Sequence, residues 1–195
     1  YQLANKLNSQ FQSYFNPVDE DFDAMKDVLQ FCDDDQWSPL VDERWTFTQL
    51  SHLKIDKSCG SGDIPPRLYI AAAHILAAPL THLINTSIIS RSVPNTWKSC
   101  HIVPIPKSST NRNSLKNFRP ISILSIPAKL LERAILMDIK PKLLSHIDKH
   151  QYGFKPKAST TCAIVKLYGV FSRLLEVSSY KGVSALFFDL SKAFD

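Results

Sequence analysis

The chain has 195 residues, with 44% hydrophobic side chains and a formal net charge of +5 at pH 7. That length and apolar content exclude a disordered tail and allow one large or two small domains around a core. The charge is uneven: residues 1–56 carry 4 Lys/Arg against 11 Asp/Glu, net −7, and residues 98–157 carry 12 against 3, net +9. The basic middle is either a solvated face or the footprint of a polyanionic partner.

Leu3, Leu7, Phe11, Tyr14 and Phe15 recur at helical spacing, and Asn16-Pro17 ends that helix. Residues 19–35 are acidic, with a weak helical stripe through Phe22, Met25, Val28, Leu29 and Cys32. Asp33-Asp34-Asp35 reads as a solvated turn, because consecutive residues do not converge on one ion. Thr46 or Thr48 is expected to cap a short helix through Leu50 and Leu53. Gly60 and Gly62 suggest unusual dihedrals, and Pro65-Pro66 suits a helix start. The stretch lacks the G-K-[ST] ending and the preceding apolar strand of a nucleotide P-loop. Tyr69 to Ile89 is apolar but contains His74, Pro79, His82 and Asn85, so two packed helices broken at Pro79 are expected rather than a membrane span.

Residues 101–106 read as a strand whose prolines favour an edge position. A polar loop that reads as mobile runs from Ser108 to Asn117. Ala128 to Met137 reads as an amphipathic helix, with Leu130, Leu131, Ala134, Ile135 and Met137 inward and Lys129, Glu132 and Arg133 outward. Pro141 should end or kink it. Ser159 or Thr160 can cap a further helix, striped by Ile164, Leu167, Tyr168, Phe171, Leu174 and Leu175. Cys32, Cys59, Cys100 and Cys162 lie far apart, which argues against a disulfide framework or zinc ribbon and for reduced intracellular thiols. His146 and His150 stand at helical spacing, without companions in a metal-ligand pattern.

After Gly182 comes an apolar run too short for a typical helix, which reads as a buried central strand. Asp189 is the first charge after it. A carboxylate there either caps a helix made by Ser191 to Phe194 or presents itself to a metal at a strand end.

The residues from Phe187 onward resemble the first catalytic motif of reverse transcriptases of the non-LTR retrotransposon type, F-x-D-x-x-K-A-F-D, filled by Phe187, Asp189, Lys192, Ala193, Phe194 and Asp195. Four further segments are similar to motifs of that family. Trp97, Lys98, Ile102, Val103, Pro104, Ile105 and Lys107 match W-K-x-x-x-I-V-P-I-x-K, and residues 117–122 match N-F-R-P-I-S without a gap. Residues 151–160 match Q-x-G-F-R/K-x-x-x-S-T. Residues 57–66 are similar to K-S-x-G-x-D-G-I-P, with Gly62 where that pattern has Asp. The resemblance covers most of residues 45–195.

The resemblance implies an α/β (α+β) fold: an incomplete right-hand polymerase, helical at first, then the fingers, then the first palm helix and strand. Residues 1–44 would be an acidic helical extension and residues 45–195 the reverse transcriptase domain. The implied reaction is RNA-directed DNA synthesis, in which a primer 3′-hydroxyl attacks the α-phosphate of a dNTP with two divalent metals, Mg²⁺ or Mn²⁺, clamping the charged oxygens. By the same resemblance Asp189 is the catalytic metal carboxylate, and the carbonyl of Leu190 is a further ligand. Lys107 and Arg119 hold the triphosphate, Lys192 and Ala193 offer turn amides to it, and Phe194 selects the sugar. Gln151, Gly153, Phe154, Lys155 and Lys157 border the template and primer. The implied partners are an RNA template, a DNA primer and dNTP, with no membrane, in the nucleus and a cytoplasmic ribonucleoprotein.

The chain begins without Met, and the family's second catalytic motif, an [FY]-x-D-D that would lie well downstream of Asp189, is absent from it. It is therefore expected to be a fragment, inactive alone. The competing reading is a degenerate or domesticated nucleic-acid-binding relic without catalysis. A haloacid-dehalogenase-type phosphatase is disfavoured, because Ser191 stands where that chemistry needs a second Asp.

Overall fold

In a computed structural model of the chain, the described residues are 2–14, 41–57, 59, 64–107, 114–177 and 182–189. The readings made for residues 19–35, for Asp33 to Asp35 and for Gly60 and Gly62 lie outside them. The chain divides into two compact units, residues 1–138 and 139–194. Helices and a two-stranded antiparallel sheet make a mixed α+β structure. Among the described residues no helix is long and apolar enough to cross a membrane.

The first unit is built on a helical core. Helix α1 (Gln2–Gln12) is followed by α2 (Glu43–Ser51), α3 (Pro66–Ala71) and α4 (Ala73–Ile89). The cap of α2 is Asp42, not Thr46 or Thr48. Its carboxylate accepts the Trp45 N–H at 2.7 Å, which satisfies a donor that the helix itself cannot. Thr46 is fully buried and has another task. Its Oγ1 lies 2.6 Å from Oγ1 of Thr81, joining α2 to α4. Asn85 on α4 grips the backbone of Val41, donating to its carbonyl at 2.9 Å and accepting its N–H at 3.4 Å.

Pro66 opens α3 at the first turn, as the Pro-Pro pair predicts. The break between α3 and α4 falls at Ala72 rather than at Pro79. Pro79 stays inside α4 because its ring and Ile75, whose carbonyl loses its intrahelical partner, both face solvent. Leu50, Tyr69, Leu80, Ile84, Leu130, Leu131 and Ala134 close the core.

The sheet pairs β1 (Cys100–Pro106) with β2 (Phe118–Leu124), with Ile105 opposite Arg119 and Pro104 opposite Pro120. Both strands of a two-stranded sheet are edges, as the prolines predict. The Lys107 N–H donates to the Asn117 carbonyl at 2.7 Å. Hydrogen-bonded pairs alternate along an antiparallel ladder, so Pro104, Pro106 and Pro120 fall at positions whose nitrogens face away from the partner strand. No ladder bond is lost to them. Of the expected loop, Leu115–Asn117 forms a 3₁₀ turn, and residues 108–113 lie outside the described part.

Ser125 opens α5 (Ile126–His146), its Oγ accepting the Ala128 N–H at 3.4 Å. Leu130, Leu131 and Ala134 are buried as the stripe predicts, whereas Ile135 and Met137 are exposed. Ile135 stands four residues after Leu131 and Met137 seven after Leu130, so both lie on the same stripe, but the buried part of the helix ends at Ala134. Pro141 does not end the helix, which runs on to His146 with the ring exposed. Arg133 donates to Oε1 of Gln49 at 3.1 Å, adding an exposed tie between α2 and α5.

In the second unit, α6 (Thr160–Glu176) is capped by Ser159, whose Oγ accepts the Cys162 N–H at 3.2 Å. None of its residues is buried, so the apolar stripe read from its sequence faces solvent among the described residues. The expected buried strand is not formed. Residues 182–189 have no regular secondary structure, and Leu186, Phe187 and Phe188 are 82%, 84% and 91% exposed. A strand exists only through its ladder, and among the described residues the one sheet contains β1 and β2 alone, so this run joins no ladder.

Candidate nucleotide and nucleic-acid site

Lys107 and Arg119 come together on one hairpin. Strand alternation puts Ile105, Lys107, Arg119 and Ile121 on one face, and Ile102, Pro104, Phe118 and Pro120 on the other. The second face is covered. Ile102, Phe118 and Leu115 pack against Leu7, Phe11 and Tyr14 at the end of α1. The first face is open: Lys107 and Arg119 are exposed, and so are Ile105 and Ile121. Trp97, just before β1, and Ile126, just after β2, are both built into the helical core, which fixes the hairpin at its two ends. The result is a cationic surface with apolar ground around each charge. Arg supplies a planar fork and Lys a compact charge, a pair suited to phosphate oxygens. Ile105 and Ile121 fall within the two motifs, but the sequence reading gave neither a role in the site. The two-residue period linking them to Lys107 and Arg119 was the available signal.

Gln151, Gly153, Phe154, Lys155 and Lys157 lie in one irregular segment of the second unit. Asp148 starts it. Its carboxylate accepts the His150 N–H at 2.6 Å and lies 3.1 Å from Nδ1 of the same residue. The backbone N–H is the main cause that holds the Asp148 carboxyl below its ordinary range. Slight desolvation opposes this, and the His150 ring and Lys155 add to it. Gln151 donates its side-chain amide to the Gly153 carbonyl at 3.4 Å. Phe154 then adopts φ 58° and Lys157 φ 62°. Left-handed backbone costs an L-residue roughly 1–2 kcal/mol. Pro156 followed by a left-handed Lys157, closed by the Ala158 N–H to the Lys155 carbonyl at 3.3 Å, follows the pattern of a type II turn. The Lys166 ammonium lies 6.0 Å from the Tyr152 ring centroid, tying this segment to α6, a contact no sequence motif announces.

Asp189 is exposed, on the irregular stretch described above. Leu190, Lys192, Ala193 and Phe194 lie outside the described residues. Among the described residues no three His, Cys, Asp or Glu side chains form a group that could hold a metal ion. Asp189 alone does not fit the several oxygen ligands that a divalent ion takes.

Residues 105–195 match the family model of the reverse transcriptase (RNA-dependent DNA polymerase). This region is similar to the reverse transcriptase family. The match takes in the hairpin from Ile105, the 151–157 segment and Asp189. The chain is also similar to three curated proteins of Drosophila melanogaster. One is a probable RNA-directed DNA polymerase from transposon BS, 24% identical over 212 residues, spanning 100% of this chain and 23% of that protein. Another is the RNA-directed DNA polymerase from mobile element jockey, 30% identical over 104 residues, 52% of this chain and 11% of that protein. The third is a probable RNA-directed DNA polymerase from transposon X-element, 28% identical over 119 residues, 60% of this chain and 13% of that protein. The chain thus spans about a quarter or less of the length of these relatives. Their names, RNA-directed DNA polymerases of transposons or a mobile element, agree with the reverse transcriptase resemblance read from the motifs.

Proposed function

We propose that the chain is the fingers and the start of the palm of an RNA-directed DNA polymerase from a non-LTR retrotransposon, with the polymerase domain beginning near residue 45. The observation that carries the reading is the open hairpin face with Lys107 and Arg119, inside the region that matches the reverse transcriptase family. In this reading the two cations meet the triphosphate of a dNTP, whose charge grows as pyrophosphate leaves. Cations fixed in advance on a hairpin need not reorganise as that happens. The amides of Lys192 and Ala193 add donors to the same phosphates, and Phe194 crowds the place of a ribose 2′-hydroxyl. The 151–157 segment lies along the RNA template and DNA primer. Asp189, with the carbonyl of Leu190, is offered as one part of a Mg²⁺ or Mn²⁺ site that needs further carboxylates. For that reason the chain by itself binds nucleic acid without extending a primer.

The test is single-nucleotide primer extension by a longer polypeptide that carries this region together with an [FY]-x-D-D motif. Arg119→Ala should raise the KM for dNTP while primer–template binding persists. Asp189→Asn, which keeps size and removes the charge, should abolish synthesis. Near-parental extension by Asp189→Asn would remove the catalytic role from that residue.

A further inference from the structure

The two cations of the open face sit at the end of the hairpin farthest from its anchors in the helical core. Trp97 and Ile126, just outside β1 and β2, hold the end of the ladder where Cys100 pairs with Leu124. Lys107 and Arg119 stand at the other end, where Ile105 pairs with Arg119 and the Lys107 N–H reaches the Asn117 carbonyl. About 17 Å of strand, from Cys100 to Ile105, separates the two ends. A two-stranded hairpin is marginal in water unless something packs on it. At this end that something is α1. Leu7, Phe11 and Tyr14 recur at i, i+4 and i+7 and close on Ile102, Leu115 and Phe118. Arg119 directly follows Phe118 and faces the opposite side of the strand. Phe11 is the most buried of the three helix residues, at 2% exposure. Its ring lies 6.1 Å from that of Tyr14 and is tilted by 56°. Tyr14 is held in turn by the Gln10 side-chain amide, which donates to its hydroxyl at 2.7 Å. Helix α1 lies outside the 105–195 region that matches the family.

We propose that Phe11 is a positioning residue for nucleotide addition. Through the patch of Leu115 and Phe118 it holds the far end of the hairpin, so that Lys107 and Arg119 meet the triphosphate from a fixed place. The proposal rests on the reading above that these two cations hold the triphosphate, and it adds what holds the cations. A charge already in place needs no reordering as the phosphate charge grows, whereas a charge on a loose strand end does.

Hydrogen exchange of the full chain reads the support directly. Phe11→Ala should speed exchange at the amides of Ile105, Lys107 and Arg119 by about tenfold and leave those of Leu50 and Ile84 in the helical core near parental rates. Phe11→Leu, which refills most of the space with apolar atoms, should restore protection. Parental exchange in Phe11→Ala, or equal acceleration in hairpin and core, would overturn the proposal. Single-nucleotide extension by the longer polypeptide described above reads the consequence. Phe11→Ala should raise the KM for dNTP by about tenfold, more than it lowers kcat, and Phe11→Leu should recover most of it. In a Lys107→Ala, Arg119→Ala background the same change should add less than about twofold, because the groups it positions are gone. An equal loss in both backgrounds would overturn the positioning. Leu7→Ala, a milder cut in the same patch, carries both tests should Phe11→Ala not fold. If Arg119→Ala raises the KM and Phe11→Ala does not, the positioning fails and the triphosphate reading stands. If neither raises it, both fail.

Discussion

Two regions of this chain carry similar apolar patterns and use them differently. In residues 1–138 the stripes of α2, α4 and α5 interlock and that of α1 closes on the hairpin, and the buried apolar side chains of the described chain all lie there. In residues 139–194 the stripe of α6 and the run at residues 186–188 are as apolar, yet they face solvent. Periodicity reports which side of an element can be buried. It does not report whether another element covers that side.

The largest expected effect tests that contrast directly. Leu130 sits at 1% exposure in the core, and Leu130→Ala leaves a cavity among side chains that cannot close on it. It should cost about 2–5 kcal/mol. Leu167→Ala removes the same atoms from the open face of α6, so the cost should stay within about 0.5 kcal/mol. Urea unfolding of the two variants gives the comparison. Similar losses in both would mean that the α6 stripe is packed in solution and would dissolve the distinction.

A smaller effect separates buried from exposed polar pairs. Thr46→Val keeps the shape of the side chain but removes one hydroxyl of the buried Thr46–Thr81 pair. Thr81 Oγ1 is then left with only the longer 3.5 Å contact to the Asp42 carbonyl. Losing a partner inside costs about 1–3 kcal/mol. The double replacement with Thr81→Val should recover part of this, because no hydroxyl is then stranded. If the double variant is no more stable than the single one, the pair is not what Thr46 contributes.

What was legible in the sequence follows the same division. The helix start at Pro66, the edge strand at residues 101–106 with its prolines, the inward set of Leu130, Leu131 and Ala134, and the Ser159 cap were all readable, because each rests on local chemistry. The cap of α2 was misplaced because Asp42 and Thr46 are both competent caps. Only the tertiary contact to Thr81 decides between them. Pro79 and Pro141 were read as breaks because the pattern cannot show that the freed carbonyl faces water. The strand at residues 183–188 failed for a stronger reason: strands are made by partners, and a single stretch of sequence contains none. Within the candidate site, the motif positions of Lys107 and Arg119 were visible, but their common face needed the register. The left-handed backbone at Phe154 and Lys157 was not visible at all, since neither residue type announces it.

The smallest expected effect belongs to Asp148, the exposed counterpart of the Thr46–Thr81 pair. Its carboxyl accepts the His150 N–H, and that bond is the chief reason its pKa lies below the ordinary value of 3.8. A carboxylate whose folded pKa is depressed contributes stability above its unfolded pKa and loses it as the pH falls through the folded one. The contribution is therefore complete near neutrality and disappears only in acid, below about pH 3.8. Solvent screens a fully exposed group, so Asp148→Asn should lower the Tm by less than Thr46→Val does. The gap between Asp148→Asn and the parent should narrow on acidification. A carboxyl NMR titration of the parent gives the sharper reading. A midpoint below 3.8 supports the hydrogen bond as the cause, and a midpoint at or above it would show that the turn from Asp148 to His150 is open in solution.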